Sequence, residues 1–391
     1  MTALLSRILG CLPIGWLQLV HNRSRLAAAV AGIAFANILV FVQLGIMMAL
    51  NTTILTPYTL FNADIIISAA DGNTLMDGSN VPRQRGFEAL GVAGVADALP
   101  LFIGNIDWKK QDGSSTNLQV MASDPAKGTF LHEPIRNKIA NLLLVDTALL
   151  DESTRGADKA QLARTSLENP VTFEANGRTL SVPGTIDVGG GFSADGYLYT
   201  SDQTFLRLFG KRIAGAPNHI LLKVDGGANV ADIVANLQDV LPQDKVKVRK
   251  LVDAARADQV YQTTERPTGL IFGFGVLMGV IVGLVIVYQL LSTDVADHLK
   301  EYATFKAMGY KQSFFLSIVF EEALILAVLG FIPGAIIATI VYHFLAEASS
   351  LPVMMDGARL VIVFLGTLAS CAISGAIATR RLAGADPADL F

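Results

Sequence analysis

Thr268–Thr293 reads TGLIFGFGVLMGVIVGLVIVYQLLST, a run without a single charged side chain. Roughly 20 apolar residues, rising about 1.5 Å each, cross a hydrocarbon core of about 30 Å. This run is long enough to do so as one helix. Leu26–Leu50 and Leu360–Thr379 are likewise uncharged, and Phe314–Leu345 carries only Glu321 and Glu322 near its start. Residues 51–267 separate the first two runs and have mixed composition, whereas the later runs are joined by short loops.

These runs predict an integral membrane protein with four transmembrane helices and one mixed α+β extracytoplasmic domain. The expected segments are a cytoplasmic amphipathic helix over 1–25, spans over 26–50, 268–293, 314–345 and 359–379, and the large domain over 51–267. A cytoplasmic loop covers 294–313, a short extracytoplasmic loop 346–358, and a cytoplasmic tail 380–391. Of the 391 residues 52% are hydrophobic and 16% charged, against about 25% charged in soluble domains. The deficit sits in the four runs. The net charge of -4 comes without a basic block, so no nucleic-acid footprint is present. Cys11 and Cys371 flank the large domain, which has no cysteine and hence no disulfide framework. The first run is too long for a signal-peptide core, and a retained anchor is expected.

Lys and Arg near span ends set orientation. Arg7, Arg23 and Arg25 precede the first span. Lys300, Lys306 and Lys311 lie between the second and third, and Arg380 and Arg381 follow the fourth. The loop Ala346–Gly357 has neither Lys nor Arg. Both termini are therefore expected in the cytoplasm, with the large domain outside. Arg249, Lys250, Arg256 and Arg266 stand against this pattern on the outer side of span two. Long translocated domains largely escape the rule.

Gly275, Gly279 and Gly283 repeat at four-residue spacing in span two. Ala28, Gly32 and Ala36 do so in span one, and Gly366, Ser370 and Ser374 in span four. Small residues at this spacing let backbones approach, as lipid-embedded association requires. Gly330, Pro333 and Gly334 are expected to kink span three or break its ladder locally. In 1–25, Leu4, Leu5, Ile8, Leu12, Trp16, Leu17 and Leu19 recur at near-helical spacing, as in a helix lying in the interface.

In the large domain, strands are expected at Ala63–Ser68, Leu118–Met121, Val171–Glu174, Tyr197–Thr200 and His219–Val224, with helices at Gly86–Leu90 and Val230–Leu241. Catalytic chemistry is not legible there. His132-Glu133 is followed by Pro134 and lacks the second histidine of a zinc motif. His219 is isolated, the G-x-S-x-G elbow is missing, and Asp187, Asp195 and Asp202 fall in or near glycine-rich turns. Catalytic, cofactor-binding and metal residues are accordingly expected to be none. A phosphate-binding G-x-x-x-x-G-K-[ST] loop is also missing: Gly210-Lys211 is followed by Arg212.

Between spans two and three, Glu301-Tyr302-Ala303-Thr304-Phe305-Lys306-Ala307-Met308-Gly309 has good helix formers closed by a glycine suited to a C-cap. This run resembles the E-x-A-x-x-[KR]-A-x-G signature of FtsX-like, MacB-type ABC transporter permeases. The wider stretch from Gly279 through Tyr288-Gln289 to Gly334 looks most like the DevC permease of DevBCA-type exporters. The order of parts fits too: one span, a large outer domain resembling the MacB periplasmic core, three spans, and a basic tail ending in Asp386-Pro387-Ala388.

The resemblance implies a homodimeric inner-membrane permease working by mechanotransmission. Glu301, Tyr302, Lys306, Met308 and Gly309 would form the element that docks on a separate ABC ATPase subunit. The other implied partners are an adaptor (membrane-fusion) protein and a TolC-like outer-membrane duct, with a glycolipid or other amphiphile as cargo. Two further readings stay open: an FtsX-like signalling module that activates a cell-wall hydrolase, and a lipoprotein-releasing permease. A glutamate early in span three is frequent in the family, matching Glu321 or Glu322.

Overall fold

The computed structural model describes residues 14–110, 113–192, 194–297, 304, 308–349 and 351–378. Two compact units divide it. One comprises Met48–Leu270 with Leu345–Pro352; the other comprises Met1–Met47, Ile271–Phe344 and Val353–Phe391.

In the helical unit, α1 (Ile14–His21) stops at Asn22, and α2 (Arg23–Thr59) begins immediately after it. The break has a local cause. The Asn22 side-chain oxygen accepts the Arg25 N–H at 3.3 Å and the Ser24 hydroxyl at 2.8 Å, so it caps the new helix. Residues 1–13 of the expected N-terminal helix lie outside the described residues. The α2 helix continues nine residues beyond the apolar run that ends at Leu50. The hydroxyls of Thr53 and Thr56 donate to the carbonyls of Leu50 (3.0 Å) and Thr52 (2.8 Å). These polar side chains thus turn back on the helix instead of ending it. Leu50, Ile54 and Tyr58 fall four residues apart and are all buried, which makes the extension one apolar stripe.

Among the described residues, the sheet unit is built on nine strands. In chain order these are β1 (Ile65–Ala69), β2 (Val95–Lys109), β3 (Ser115–Ser123), β4 (Thr147–Asp151), β5 (Val171–Ala175), β6 (Arg178–Ile186), β7 (Gly196–Ser201), β8 (His219–Val224) and β9 (Val246–Lys250). Their spatial order is β5-β6-β4-β7-β3-β2-β8-β1-β9. The long β2 joins two lobes: Val95–Leu101 pairs with β8, and Phe102–Lys109 pairs with β3. The first lobe combines the two ends of the segment, β1, β8 and β9, with α3 (Gln84–Leu90). The second uses the middle and includes α4 (Asp202–Leu208), whose first turn is capped by the Ser201 hydroxyl on Thr204 N–H at 3.2 Å. The first lobe is completed by α5 (Val230–Val240), capped by Asn229 on Ala231 N–H at 3.0 Å.

All five residues of β1 are buried, because both faces of the sheet are covered. One face holds Ile65, Ile67, Ile220, Leu222 and Leu237. The other holds Ile66, Leu99, Leu221 and Tyr199 with Tyr58 of α2 and Leu251 and Ala254 of α6 (Leu251–Thr264). Each fully buried aliphatic side chain contributes about 1.5–3 kcal/mol, so both membrane-linked helices are held firmly against the sheet.

Pro267 opens α7 (Pro267–Asp297), a position where its missing N–H is harmless. Val287, Leu291 and Val295 make a buried seam that carries this helix past Thr293, and Arg25 pairs with Asp297. The next helix, α8 (Gln312–Ser349), runs through Pro333 without interruption, and α9 (Gly357–Ala378) follows. Among the described residues, four helices are long and apolar enough to cross a membrane: Arg23–Thr59, Pro267–Asp297, Leu316–Ser349 and Gly357–Ala378. The expected kink at Gly330-Pro333-Gly334 is not a break in α8. A Cβ on Gly334 would lie 3.1 Å from the Ala34 carbonyl, and one on Gly330 would lie 2.5 Å from Ile33 Cγ2. These glycines let α8 approach α2.

Candidate functional site

Three features of the helical unit stand out, two of them at residues singled out by sequence. Gly275, Gly279 and Gly283 face α2. A Cβ added to them would meet Gln43 Oε1 at 2.6 Å, Val40 Cγ2 at 3.5 Å and Ala36 Cβ at 3.3 Å respectively. The descending partner numbers mark an antiparallel contact within one chain. On the next face, Thr367 Oγ1 lies 2.6 Å from Asn37 Oδ1 and 2.7 Å from the Val363 carbonyl. One hydroxyl proton is thus shared between two acceptors. Finally, Trp16 N–H reaches Glu321 Oε1 at 3.4 Å. Glu322 is fully buried, and a Cβ on Gly15 would lie 2.8 Å from its Cγ. Both glutamates therefore engage α1.

Of the loop residues, Glu301, Tyr302 and Lys306 lie outside the described residues. Met308 donates its N–H to the Thr304 carbonyl at 3.1 Å and is 60% exposed. Gly309 follows with φ of +91°, the left-handed conformation that ends helices and favours glycine.

The sheet unit contains a polar network that sequence reasoning missed. Asp258 on α6 is 2% exposed. Its Oδ2 accepts the Tyr58 hydroxyl at 2.8 Å and the Leu75 N–H at 2.8 Å, and its Oδ1 accepts Gln262 Nε2 at 2.6 Å. Burial pushes its carboxyl above the usual carboxylate range even though these donors pull it down. The Leu75 carbonyl lies 2.9 Å from His219 Nε2, and His219 Nδ1 lies 3.0 Å from Ser68 Oγ. A carbonyl only accepts, so Nε2 carries the proton and Nδ1 receives the serine hydroxyl. Burial lowers the His219 pKa to about 4 and keeps the ring neutral.

The network thus runs from the extension of α2 (Tyr58), through α6 (Asp258) and the Leu75 backbone, to β8 (His219) and β1 (Ser68). A second grip holds the same loop from outside. Asp77 accepts the N–H groups of Thr74 (2.7 Å) and Asn73 (2.9 Å) and pairs with Arg266 at 2.9 Å. Burial pushes its carboxyl up, but these partners outweigh it and hold the group below the ordinary range. The two grips fasten to one another the helix that continues the first apolar run and the helix that precedes the second.

Arg155 makes the third link. Its Nε donates to the Ser349 carbonyl at 2.6 Å, its Nη2 to the Gly191 carbonyl at 2.7 Å, and its Nη1 lies 3.3 Å from Asp195 Oδ1. Ser349 ends α8, where carbonyls lack helical partners, and a cation there also suits the helix dipole. The glycine loop is set by Asp151, whose Oδ1 accepts the N–H groups of Val188 (3.1 Å), Ser153 (3.3 Å) and Gly189 (3.3 Å). Asp195, expected in a turn, is thus an ion-pair partner.

A search of curated proteins finds no match. Among solved structures, the periplasmic region of MacB from Actinobacillus actinomycetemcomitans is 17% identical, covering 54% of this chain and 96% of that one, with a TM-score of 0.32. The extracellular domain of the ABC-type transporter YknZ from Gram-positive bacteria is 8% identical, covering 48% and 98%, with a TM-score of 0.30. Residues 273–387, which hold most of α7 and all of α8 and α9, match the family model described as FtsX-like permease C-terminal.

Proposed function

We propose that the chain is the permease subunit of an ATP-driven ABC exporter that works by mechanotransmission in the bacterial inner membrane. The FtsX-like segment over 273–387 supports the permease reading. The observation that carries the mechanism is Asp258, which joins the continuation of one span helix to the lead-in of the next beneath a nine-stranded sheet. A movement of either helix is then felt by the other and by β1 and β8.

In this reading a separate ABC ATPase docks on 294–313 through Glu301, Tyr302, Lys306, Met308 and Gly309, with both termini on that side. Two copies form the working dimer, with the α7 glycines packing α7 to α2 inside each copy. The sheet units, outside the cytoplasm, pass the stroke to an adaptor protein and a TolC-like duct. The cargo is a glycolipid or other amphiphile, as the DevC resemblance implies. ATP is bound and split by the partner, not by this chain.

Affinity purification of the full chain from its native membrane tests the proposal. Recovery of an ABC ATPase together with an adaptor is the expected result. Recovery of a cell-wall hydrolase would replace export with signalling. Absence of any ATPase under crosslinking would overturn both.

A further inference from the structure

Of the four basic residues that precede the second span, Arg266 is engaged by Asp77 at 2.9 Å and lies over the Tyr261 ring at 5.7 Å. Arg249 and Arg256 have no side-chain hydrogen bond or ion pair among the described residues, and Arg249 Nε is buried without an acceptor. A buried donor without an acceptor costs on the order of 1–3 kcal/mol. Both arginines line one surface cavity of about 480 Å³ formed by β9 and α6 with Asn73 from the loop after β1. Two guanidinium groups facing one cavity suit a phosphate, whose oxygens accept paired N–H donors.

The same cavity is lined by Asp253 and Glu265. Asp253, three residues before Arg256 on α6, would repel a bare phosphate but complements an ammonium group carried next to it, whereas Glu265 lies about 18 Å further along at 1.5 Å per residue. Val260 adds a half-exposed apolar wall. We propose that this cavity binds a zwitterionic phosphoester of the phosphoethanolamine type. The phosphate would lie on Arg249 and Arg256, and the ammonium on Asp253, three residues from Arg256 on α6. The group can be presented by a phospholipid headgroup or by a soluble glycerophosphoester.

The test uses the purified full chain in maltoside and calorimetric titration with glycerophosphoethanolamine, inorganic phosphate and ethanolamine. Saturable binding of glycerophosphoethanolamine is expected, with the other two bound at least about tenfold more weakly. Arg249→Gln and Arg256→Gln should each weaken binding about tenfold or more, and Asp253→Asn should shift preference towards inorganic phosphate. Circular dichroism melts of each variant separate lost binding from lost folding, and Arg256→Gln, on an exposed side chain, keeps the test valid if Arg249→Gln unfolds. Native mass spectrometry from membranes then distinguishes the sources. Phosphatidylethanolamine retained by the parent chain but not by the double arginine variant assigns the lipid; binding of the soluble probe alone assigns the free phosphoester. Absence of saturable binding, binding indifferent to both arginine substitutions, or equal affinity for inorganic phosphate would overturn the assignment.

Discussion

The Tyr58 hydroxyl donates to Asp258 Oδ2 at 2.8 Å across 200 positions of sequence. Tyr58 lies in the last turn of the helix Arg23–Thr59, and Asp258 sits on the helix that leads into the second apolar run. One carboxylate thus fixes the spacing of two helices that enter the sheet unit. Tyr58→Phe should remove one hydrogen bond and lower stability by about 1 kcal/mol. Asp258→Ala should cost about 3 kcal/mol, because it also leaves the buried Leu75 N–H without an acceptor. Chemical unfolding of the full chain in nanodiscs checks both. Equal effects of the two changes would mean that Leu75 is not held through Asp258.

His219 should make the sheet unit acid-sensitive. Its folded-state pKa of about 4 lies below the ordinary value of about 6.5. A depressed pKa gives stability that is complete above pH 6.5 or so and is lost as pH falls through about 4. The loss amounts to about 3 kcal/mol. Asp258 and Asp151 act in the opposite sense, since burial raises both and acidification favours their folded forms. The comparison is therefore between the parent chain and His219→Gln, with unfolding midpoints taken at pH 7 and pH 4.5. The variant should lose less stability between the two values.

Glycine contacts in the helical unit should rank by what lies opposite. A Cβ on Gly334 meets the backbone of Ala34 at 3.1 and 3.3 Å, whereas one on Gly279 meets Val40 at 3.5 Å or more. Backbone cannot swing aside. Gly334→Ala should cost about 1–3 kcal/mol, and Gly279→Ala should cost less than about 1 kcal/mol. Thermal unfolding in a fixed detergent reports the order, and a larger loss for Gly279→Ala would contradict the packing described.

Arg155 should restrain Leu345–Pro352. Removing the guanidinium leaves the Ser349 and Gly191 carbonyls without their donor. In Arg155→Ala, hydrogen–deuterium exchange should rise in peptides covering 345–352 and 188–195 and remain unchanged in α5. Exchange unchanged in both peptides would show that the link carries no weight.

Much of this architecture is legible in the chain, and the remainder is hidden for identifiable reasons. The four apolar runs show because lipid requires uncharged segments of fixed length. Their ends do not show, because α2 extends through threonines that bond their own helix and α7 extends along the seam Val287-Leu291-Val295. The strand His219–Val224 is plain from its apolar residues, but β2 carries Pro100 and Gly104 within Val95–Lys109 and so reads as broken. The clasps were invisible for another reason. Asp258, Tyr58, Leu75 and His219 are scattered along the sequence, and only the crossing of α2 and α6 over one face of the sheet makes them neighbours. Gly309 shows the reverse: a glycine read from the sequence as suited to a C-cap has the positive φ such a position requires.

The central claim is that a partner's ATP cycle at 294–313 moves the sheet units. Spin labels at Ile213, which is 66% exposed, allow a pulsed-resonance distance measurement between the two copies of a chain reconstituted with its ATPase. The distance should change on ATP addition. In Gly309→Val, where a β-branched residue meets the +91° φ, ATP hydrolysis should continue without that change. An ATP-independent distance in the parent complex, or unaltered movement in Gly309→Val, would contradict the account.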